Sequence, residues 1–425
     1  MAIRINGGTV LDPERISGKA DLVIEDGVIV KILEPGEPLA GVTLEREIDA
    51  TGRLVTPGLI DMHVHLREPG FEYKETIETG CRAAVRGGFT ALCSMPNTKP
   101  VNDNRQVTEY ILQKAREAGY ARVYPAAAIS ASSKGQSLCE YGELKEAGVV
   151  ALTDDGLPVA NAQLMRRALE YAKGFGLPII SHCEDMDLVA GGCMNEGPVA
   201  TRLGLAGIPN LSESLMVMRD IGRAELTGGR VHIAHVSTRE SVSAIREAKK
   251  RGVNVTAETA PHYFTLTDER VMGYDTSAKM NPPLRSEDDR KAILEGLADG
   301  TLDVIATDHA PHSPLEKNVE FSQAANGIVG LETSLPLSLA LVADKVLSLE
   351  DLIRKMSSNP AAILGIPNGI VAGAPADLTI IDLDAEYVLD AKDLWSKSRN
   401  TPFDGWTMKG RAVVTMVGGR VVYEM

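Results

Sequence analysis

The 425-residue chain has no surplus of positive charge: 44 Lys and Arg against 58 Asp and Glu leave a net charge of −14. That balance disfavours nonspecific binding to nucleic acid or anionic membrane, and any acidic ligand must be met by local positive charge. The five cysteines, Cys81, Cys93, Cys139, Cys183 and Cys193, are odd in number, scattered and free of any CxxC pair. They suggest neither a disulfide framework nor a thiolate zinc site, and read as small core residues in a reducing compartment. No apolar run reaches membrane-spanning length, and the opening MAIRINGGTV breaks into glycines at once instead of forming a secretory leader. The expected location is the cytoplasm. Also missing are a GxGxxG after the first strand and a P-loop, which removes support for the nucleotide-binding versions of an open doubly wound sheet.

What is present is ordinary globular composition, 44% hydrophobic and 24% charged, ample for a large core. The first fifty residues (AIRINGGTVLD, ADLVIEDGVIVKIL, TLEREIDATGRLVTPG) and the last sixty (ADLTIIDLDAEYVL, RAVVTMVGGRVVYEM) read as short strands punctuated by Gly, Asp or Pro. Two such terminal segments can pair into one small β-sandwich domain, 1–55 with 367–425. Between them eight apolar strand candidates alternate with helical stretches: 59–65, 89–95, 121–129, 149–153, 178–182, 230–236, 253–258 and 303–307. Eight alternating units predict an α/β fold of the (β/α)8, TIM-like type over 56–366.

Active sites of such barrels gather at the carboxyl ends of the strands. Polar residues fall there repeatedly. In DMHVHLREPG, His63 and His65 stand at i and i+2, on one face of an extended strand, with Arg67 beyond its end. Asn97 follows the second strand and Asp154 and Asp155 the fourth; His182 ends the fifth and His235 the sixth. Asn281 and Arg285 follow the seventh and Asp308 ends the eighth. His232 lies an odd number of residues from His235, so it is assigned to packing or to support of a ligand. His309 is expected to point away from its neighbour Asp308, and His262 is open between the rim and a substrate contact. Either aspartate of TDDG can turn inward, the other capping the following turn. Four imidazoles and two carboxylates without thiolate suit Zn²⁺, and six ligands suffice for two ions sharing a bridge.

DMHVHLREPG together with ATDHAPHSPLEK resembles the signature pair of dihydroorotases, bacterial class I type, in the amidohydrolase superfamily. GGFTALCSMPNTKP, LKEAGVVALTDDG, IISHCED, HIAHVST, NPPLR, NGIVGLET and SKSRNTPF extend the resemblance over nearly the whole chain. It implies reversible cyclisation of N-carbamoyl-L-aspartate to L-dihydroorotate in pyrimidine biosynthesis. By position, His63, His65, Asp155 and Asp308 would hold one zinc and Asp155, His182 and His235 a second, with Asp155 as the bridge. Asp308 would shuttle the proton, while His65, Arg67, Asn97, Asn281, His312, Asn326 and Gly327 would contact substrate. A homo-oligomer, and assembly with aspartate carbamoyltransferase, are further expectations of the resemblance.

The fourth strand departs from the wider superfamily: VVALTDDG has no lysine where dihydropyrimidinases and allantoinases carry a carboxylated, metal-bridging one. Two other readings remain at this stage, a hydantoinase-like or allantoinase-like cyclic amidohydrolase and a silent scaffold for aspartate carbamoyltransferase. The stretch HSPLEKNVEFSQAAN is expected to act as a closing loop.

Overall fold

The computed structural model describes residues 2–39 and 43–425. Eight parallel strands follow one another around a barrel in sequence order. They are β1 (Leu59–Val64), β2 (Phe89–Ser94), β3 (Arg122–Ala127), β4 (Ala151–Leu152), β5 (Ile179–Ser181), β6 (Val231–Ile233), β7 (Val255–Thr259) and β8 (Val304–Ile305). All of β1 and β2 is buried on both faces, the usual consequence of helices outside a parallel sheet and packed side chains within it. Several strands are shorter than their apolar runs. Regular pairing stops at Leu152, Ser181, Ile233 and Ile305, and the residues beyond bend out of the ladder toward the barrel mouth.

The seam between β1 and β8 is nearly closed and relies on a side chain. His65 N–H donates to the His309 carbonyl at 2.9 Å, and the Asp61 carboxylate accepts from Thr307 N at 3.1 Å and Thr307 Oγ1 at 2.5 Å. The same carboxylate takes the His63 N–H at 3.2 Å, fixing the strand end that carries the histidines.

Helices cover the barrel where the 3.6-residue pattern predicts them. Arg105–Ala118, Ala162–Lys173, Arg239–Lys250 and Glu287–Ala298 start at Asn104, Asn161, Thr238 and Ser286, whose side chains accept from free amides of the first turn. No helix among the described residues is long and apolar enough to cross a membrane.

Both termini build the second layer. A six-stranded sheet joins the N-terminal strands Ile16–Lys19, Thr9–Asp12 and Leu54–Pro57 to the C-terminal strands Leu378–Val388, Thr407–Val417 and Arg420–Glu424, the two halves meeting where Leu54–Pro57 pairs with Leu378–Val388. A four-stranded sheet made from Ala2–Asn6, Asp21–Glu25, Val28–Leu33 and Leu44–Asp49 faces it, and Leu22, Ile24 and Ile29 share one core with Val55, Ile380 and Val414. The expected boundary at residue 55 falls inside the Leu54–Pro57 strand, which pairs as far as Pro57 with Leu378. The chain crosses at Gly58, where a Cβ would lie 1.9 Å from Thr90 Oγ1. The C-terminal part is likewise not wholly sandwich. Between the two long strands, the chain reaches the barrel mouth, where Ser396 and Ser398 bond Glu75 and the Lys74 carbonyl, and Asn400 bonds Ala310 and His312.

Candidate metal centre

The six ligand-type residues converge although they come from five different strand ends. Asp155 is central. Its Oδ1 lies 3.3 Å from His63 Nε2, 3.5 Å from His182 Nδ1 and 3.5 Å from His235 Nε2, while Oδ2 lies 3.5 Å from His65 Nε2. Asp308 Oδ1 sits 3.2 Å from His65 Nε2 and 3.6 Å from His63 Nε2. All six are buried. Two overlapping groups, His63 with Asp155 and His235, and His63 with His65 and Asp308, bring their ligand atoms within 4.8 Å of one another.

The two aspartates of TDDG part company. Asp155 turns into the cluster, whereas Asp154 accepts from the backbone N–H (3.0 Å) and the hydroxyl of Ser130, tying β4 back to the end of β3. Its side chain therefore braces the neighbouring strand and does not cap the turn that follows.

Backbone strain collects at the same place. Among the described residues nine non-glycines have positive φ, and three of them are Arg67 (64°), His235 (34°) and Asp308 (47°). Each such conformation costs roughly 1–3 kcal/mol and persists only where the surroundings impose it. Here it turns the side chain off the strand line into the mouth.

The electrostatics call for positive charge where the rings meet. Burial opposes ionisation of Asp155, yet the surrounding imidazoles, His63 first, hold its carboxyl well below its ordinary range. Burial likewise disfavours a charged His182, but Asp155 and Glu184 push its pKa up to about 10, and His63 is raised well above its usual value by Asp155, Glu258 and Asp308. Despite this, His63 Nε2 and Asp155 Oδ1 are buried without a well-directed hydrogen bond. Ligand atoms aimed at a common point and left unsatisfied there are what a cation would complete.

Two carboxylates outside the six hold the rings. Glu258, at the end of β7, takes His63 Nδ1 at 2.5 Å, His232 Nε2 at 3.2 Å and the His235 backbone N–H at 3.3 Å. It presents the other nitrogen of His63 to the centre and accounts for His232, which Thr256 Oγ1 contacts from the far side at 2.8 Å. Glu184 does the same for His182 (3.1 Å to Nε2) and also accepts from Asn281 Nδ2 at 3.3 Å. Neither was singled out from sequence. Glu258 was readable as the polar end of the strand candidate VNVTAE; Glu184 had only its place beside His182.

Above the cluster opens a cavity of about 280 Å³, bordered by His65, Arg67, Asn97, Asn281, His312 and Asn326. Arg67 is buried and makes no ion pair among the described residues; its Nε donates to the Pro311 carbonyl at 3.2 Å. Burial lowers its pKa only to about 10, so the guanidinium stays charged at neutral pH. Asn97 Oδ1 receives the His65 Nδ1 hydrogen bond at 2.9 Å, which turns its NH₂ toward the cavity. His312 Nε2 donates to the Asn326 carbonyl at 2.9 Å, leaving Nδ1 to face Lys74 Nζ at 3.4 Å. Burial, then Arg67 and Lys74, push its pKa down to about 3, so the ring is neutral.

Gly327 differs from the expectation of a backbone contact to substrate. Its N–H donates to the Lys279 carbonyl at 2.9 Å and its own carbonyl accepts from Asn400 Nδ2 at 2.9 Å, so both groups are used within the fold. Its missing side chain matters instead, since a Cβ would lie 2.7 Å from His312 Cδ2. Arg285 also faces elsewhere, bonding Ser237, Asn195 and the Ile208 carbonyl. His309 is held between Glu75 (3.3 Å) and Gly330 N (3.1 Å), and His262 is buried but does not border the cavity. The five cysteines are free, four of them buried.

Comparison with known proteins assigns this arrangement to a family. Proteins named dihydroorotase from Desulforapulum autotrophicum (61% identical, 100% of this chain and 99% of that protein) and Syntrophotalea carbinolica (59%, 100% of both) match from end to end. The chain belongs to the dihydroorotase family. The dihydro-orotase-like family model matches residues 52–241 and the amidohydrolase family model residues 200–423, so this dihydroorotase relative is a cyclic amide hydrolase of the amidohydrolase superfamily. Among solved structures, L-hydantoinase from Arthrobacter aurescens superposes with a TM-score of 0.88 at 26% identity, covering 99% of this chain and 96% of that one. Dihydropyrimidinase from Brevibacillus agri (TM-score 0.85, 22% identity, 100% and 95% covered) shares the fold.

Proposed function

We propose that the protein interconverts N-carbamoyl-L-aspartate and L-dihydroorotate, with loss of water on ring closure, in pyrimidine synthesis. The observation that carries this reading is Arg67: a buried, charged guanidinium without an anion, at the rim of a carboxylate-and-imidazole cluster. Full-length relatives bearing the dihydroorotase name support it.

His63, His65, Asp155 and Asp308 fit one zinc, and Asp155, His182 and His235 a second, because Asp155 reaches all four imidazoles and the ligand groups among the described residues contain no cysteine. When bound, zinc supplies Lewis-acid polarisation of the amide carbonyl and makes water acidic enough to ionise near neutral pH. The chain does the rest. Arg67 receives the ring carboxylate, and the inward NH₂ of Asn97 adds a second donor. Asn281, with Nδ2 committed to Glu184, offers its carbonyl to a ring N–H. His312 and Asn326 close the opposite wall.

Asp308 carries the proton. Burial raises the cost of its charge, but His63 and His65 hold the carboxyl below its ordinary pKa, so it begins as the base. In ring opening it accepts a proton of the attacking water and returns it to the departing ring nitrogen; in closure it removes the proton from the ureido nitrogen and gives it to the departing hydroxyl, which leaves as water.

Purified protein assayed with dihydroorotate, hydantoin and allantoin, alongside metal content per chain and activity after chelation and zinc return, tests the proposal. The expected result is preferential turnover of dihydroorotate that follows zinc. Preference for hydantoin or allantoin, or full activity in metal-free protein, would overturn it.

A further inference from the structure

We propose that Lys279 and Lys317 are positioning residues, whose buried ammonium groups gather the main-chain carbonyls of residues 322–327 and so hold the Asn326 and His312 wall of the substrate cavity. This rests on the functional reading above only for the identity of the substrate.

Lys279 and Lys317, two of the four buried lysines among the described residues, are 5% and 4% exposed, and neither pairs with a carboxylate among those residues. Lys317 Nζ donates to the carbonyls of Ala325 (2.8 Å), Gly327 (3.0 Å) and Lys279 (3.3 Å). Lys279 Nζ donates to those of Ala324 (2.7 Å) and Ser322 (3.0 Å), and stands 5.4 Å from the centre of the Phe321 ring. The Lys279 carbonyl also takes the Gly327 N–H, so each lysine ties the other into the same knot.

Burying an amino group without a counter-ion is expensive, since burial pushes the Lys317 pKa down to about 7 and lowers that of Lys279, and an apolar chain of equal length would pack the same space without that cost. Carbonyl oxygens are what the apolar chain could not serve. Four main-chain acceptors of the segment, with the Lys279 carbonyl as a fifth, point inward here where the segment folds back to bring residue 326 to the cavity.

Both ends of this knot border the cavity. Met280 and Asn281 directly follow Lys279, and Asn326 lies between the Ala325 and Gly327 carbonyls that Lys317 holds. The Asn326 carbonyl receives His312 Nε2, and the neighbouring Glu316 is fixed to Lys74 at 2.6 Å on the β1 side of the mouth. HSPLEKNVEFSQAAN is therefore a braced wall, with Lys317 and Phe321 inside it.

The test compares Lys317→Met, Lys279→Met and Lys317→Arg with the parent as zinc-loaded protein. In the methionine variants KM for dihydroorotate is expected to rise about tenfold or more with kcat within about threefold, and Lys317→Arg, which keeps the donors, is expected to lie closer to the parent. Hydrogen exchange of residues 311–328 is expected to accelerate at least tenfold in the methionine variants, with the barrel strands unchanged. A methionine variant that melts at lower temperature yet keeps the parent KM and exchange would overturn the proposal. Should Lys317→Met fail to fold, Lys279→Met carries the same readings, with Lys317→Arg as the donor-retaining control. A parent without dihydroorotate turnover would remove the substrate assignment, while exchange would still decide the role of the lysines.

Discussion

Glu258→Gln isolates one contribution to the proposed metal centre. The substitution keeps the size of the side chain but removes the charge that accepts His63 Nδ1 at 2.5 Å, His232 Nε2 at 3.2 Å and the His235 amide at 3.3 Å. His63 must offer an unprotonated Nε2 to a metal, so Nδ1 must carry the proton, and Glu258 is what makes that tautomer favourable. A charge-assisted hydrogen bond of this kind is worth about 1.5–3 kcal/mol, which corresponds to roughly a 10- to 150-fold change in an equilibrium constant. Zinc affinity, read by competition with a chromophoric chelator, is therefore expected to fall about 10- to 100-fold, with loss concentrated on the ion that His63 serves. The melting temperature of metal-free protein gives the control for folding. Zinc affinity within about threefold of the parent, in a variant that folds, would refute the claim that this carboxylate orients a ligand.

Three further outcomes follow from the same geometry. Asp308→Ala is expected to lower turnover by about 10² or more, the range for a lost acid–base group, with an unchanged circular dichroism spectrum; normal turnover would remove Asp308 from proton transfer. Arg67→Ala is expected to raise KM for dihydroorotate about tenfold or more and affect kcat less, since in the proposed function the guanidinium meets a carboxylate that does not react; an unchanged KM contradicts that role. His312 is expected to stay neutral well below pH 5, as a pH titration of its imidazole signals by NMR reads directly. The folded pKa of about 3 lies below the usual 6.5, so the unfolded chain binds the proton first as pH falls. Its contribution to stability is complete above about 6.5 and is lost progressively toward pH 3; a measured His312 pKa above 5 contradicts the assignment.

The barrel was legible because apolar runs recur with helical segments between them, and a polar residue at the end of such a run has few reasons to be there. His63, His65, His182, His235 and Asp308 all came from that rule. TDDG was not decidable by spacing, because a bend after a two-residue strand can send either carboxylate inward; contact with Ser130 removes Asp154 from the centre. Glu258 is not legible as a supporting carboxylate because it reads as one more strand residue, and its partner His63 is 195 positions away. Lys279 and Lys317 carry no signature at all. Their burial depends on the return path of a segment, which is a property of tertiary structure and not of periodicity.

The C-terminal excursion to the barrel mouth has an evolutionary consequence. Asn400 holds both the His312 amide, at 3.0 Å, and the Gly327 carbonyl, at 2.9 Å, from a stretch flanked on each side by sandwich strands. Swapping the terminal β module between homologues would thus transplant a support of the pocket wall, and a breakpoint between the two would separate Asn400 from the residues it holds. A grafted module would have to bring a residue that meets the recipient's His312 amide and Gly327 carbonyl.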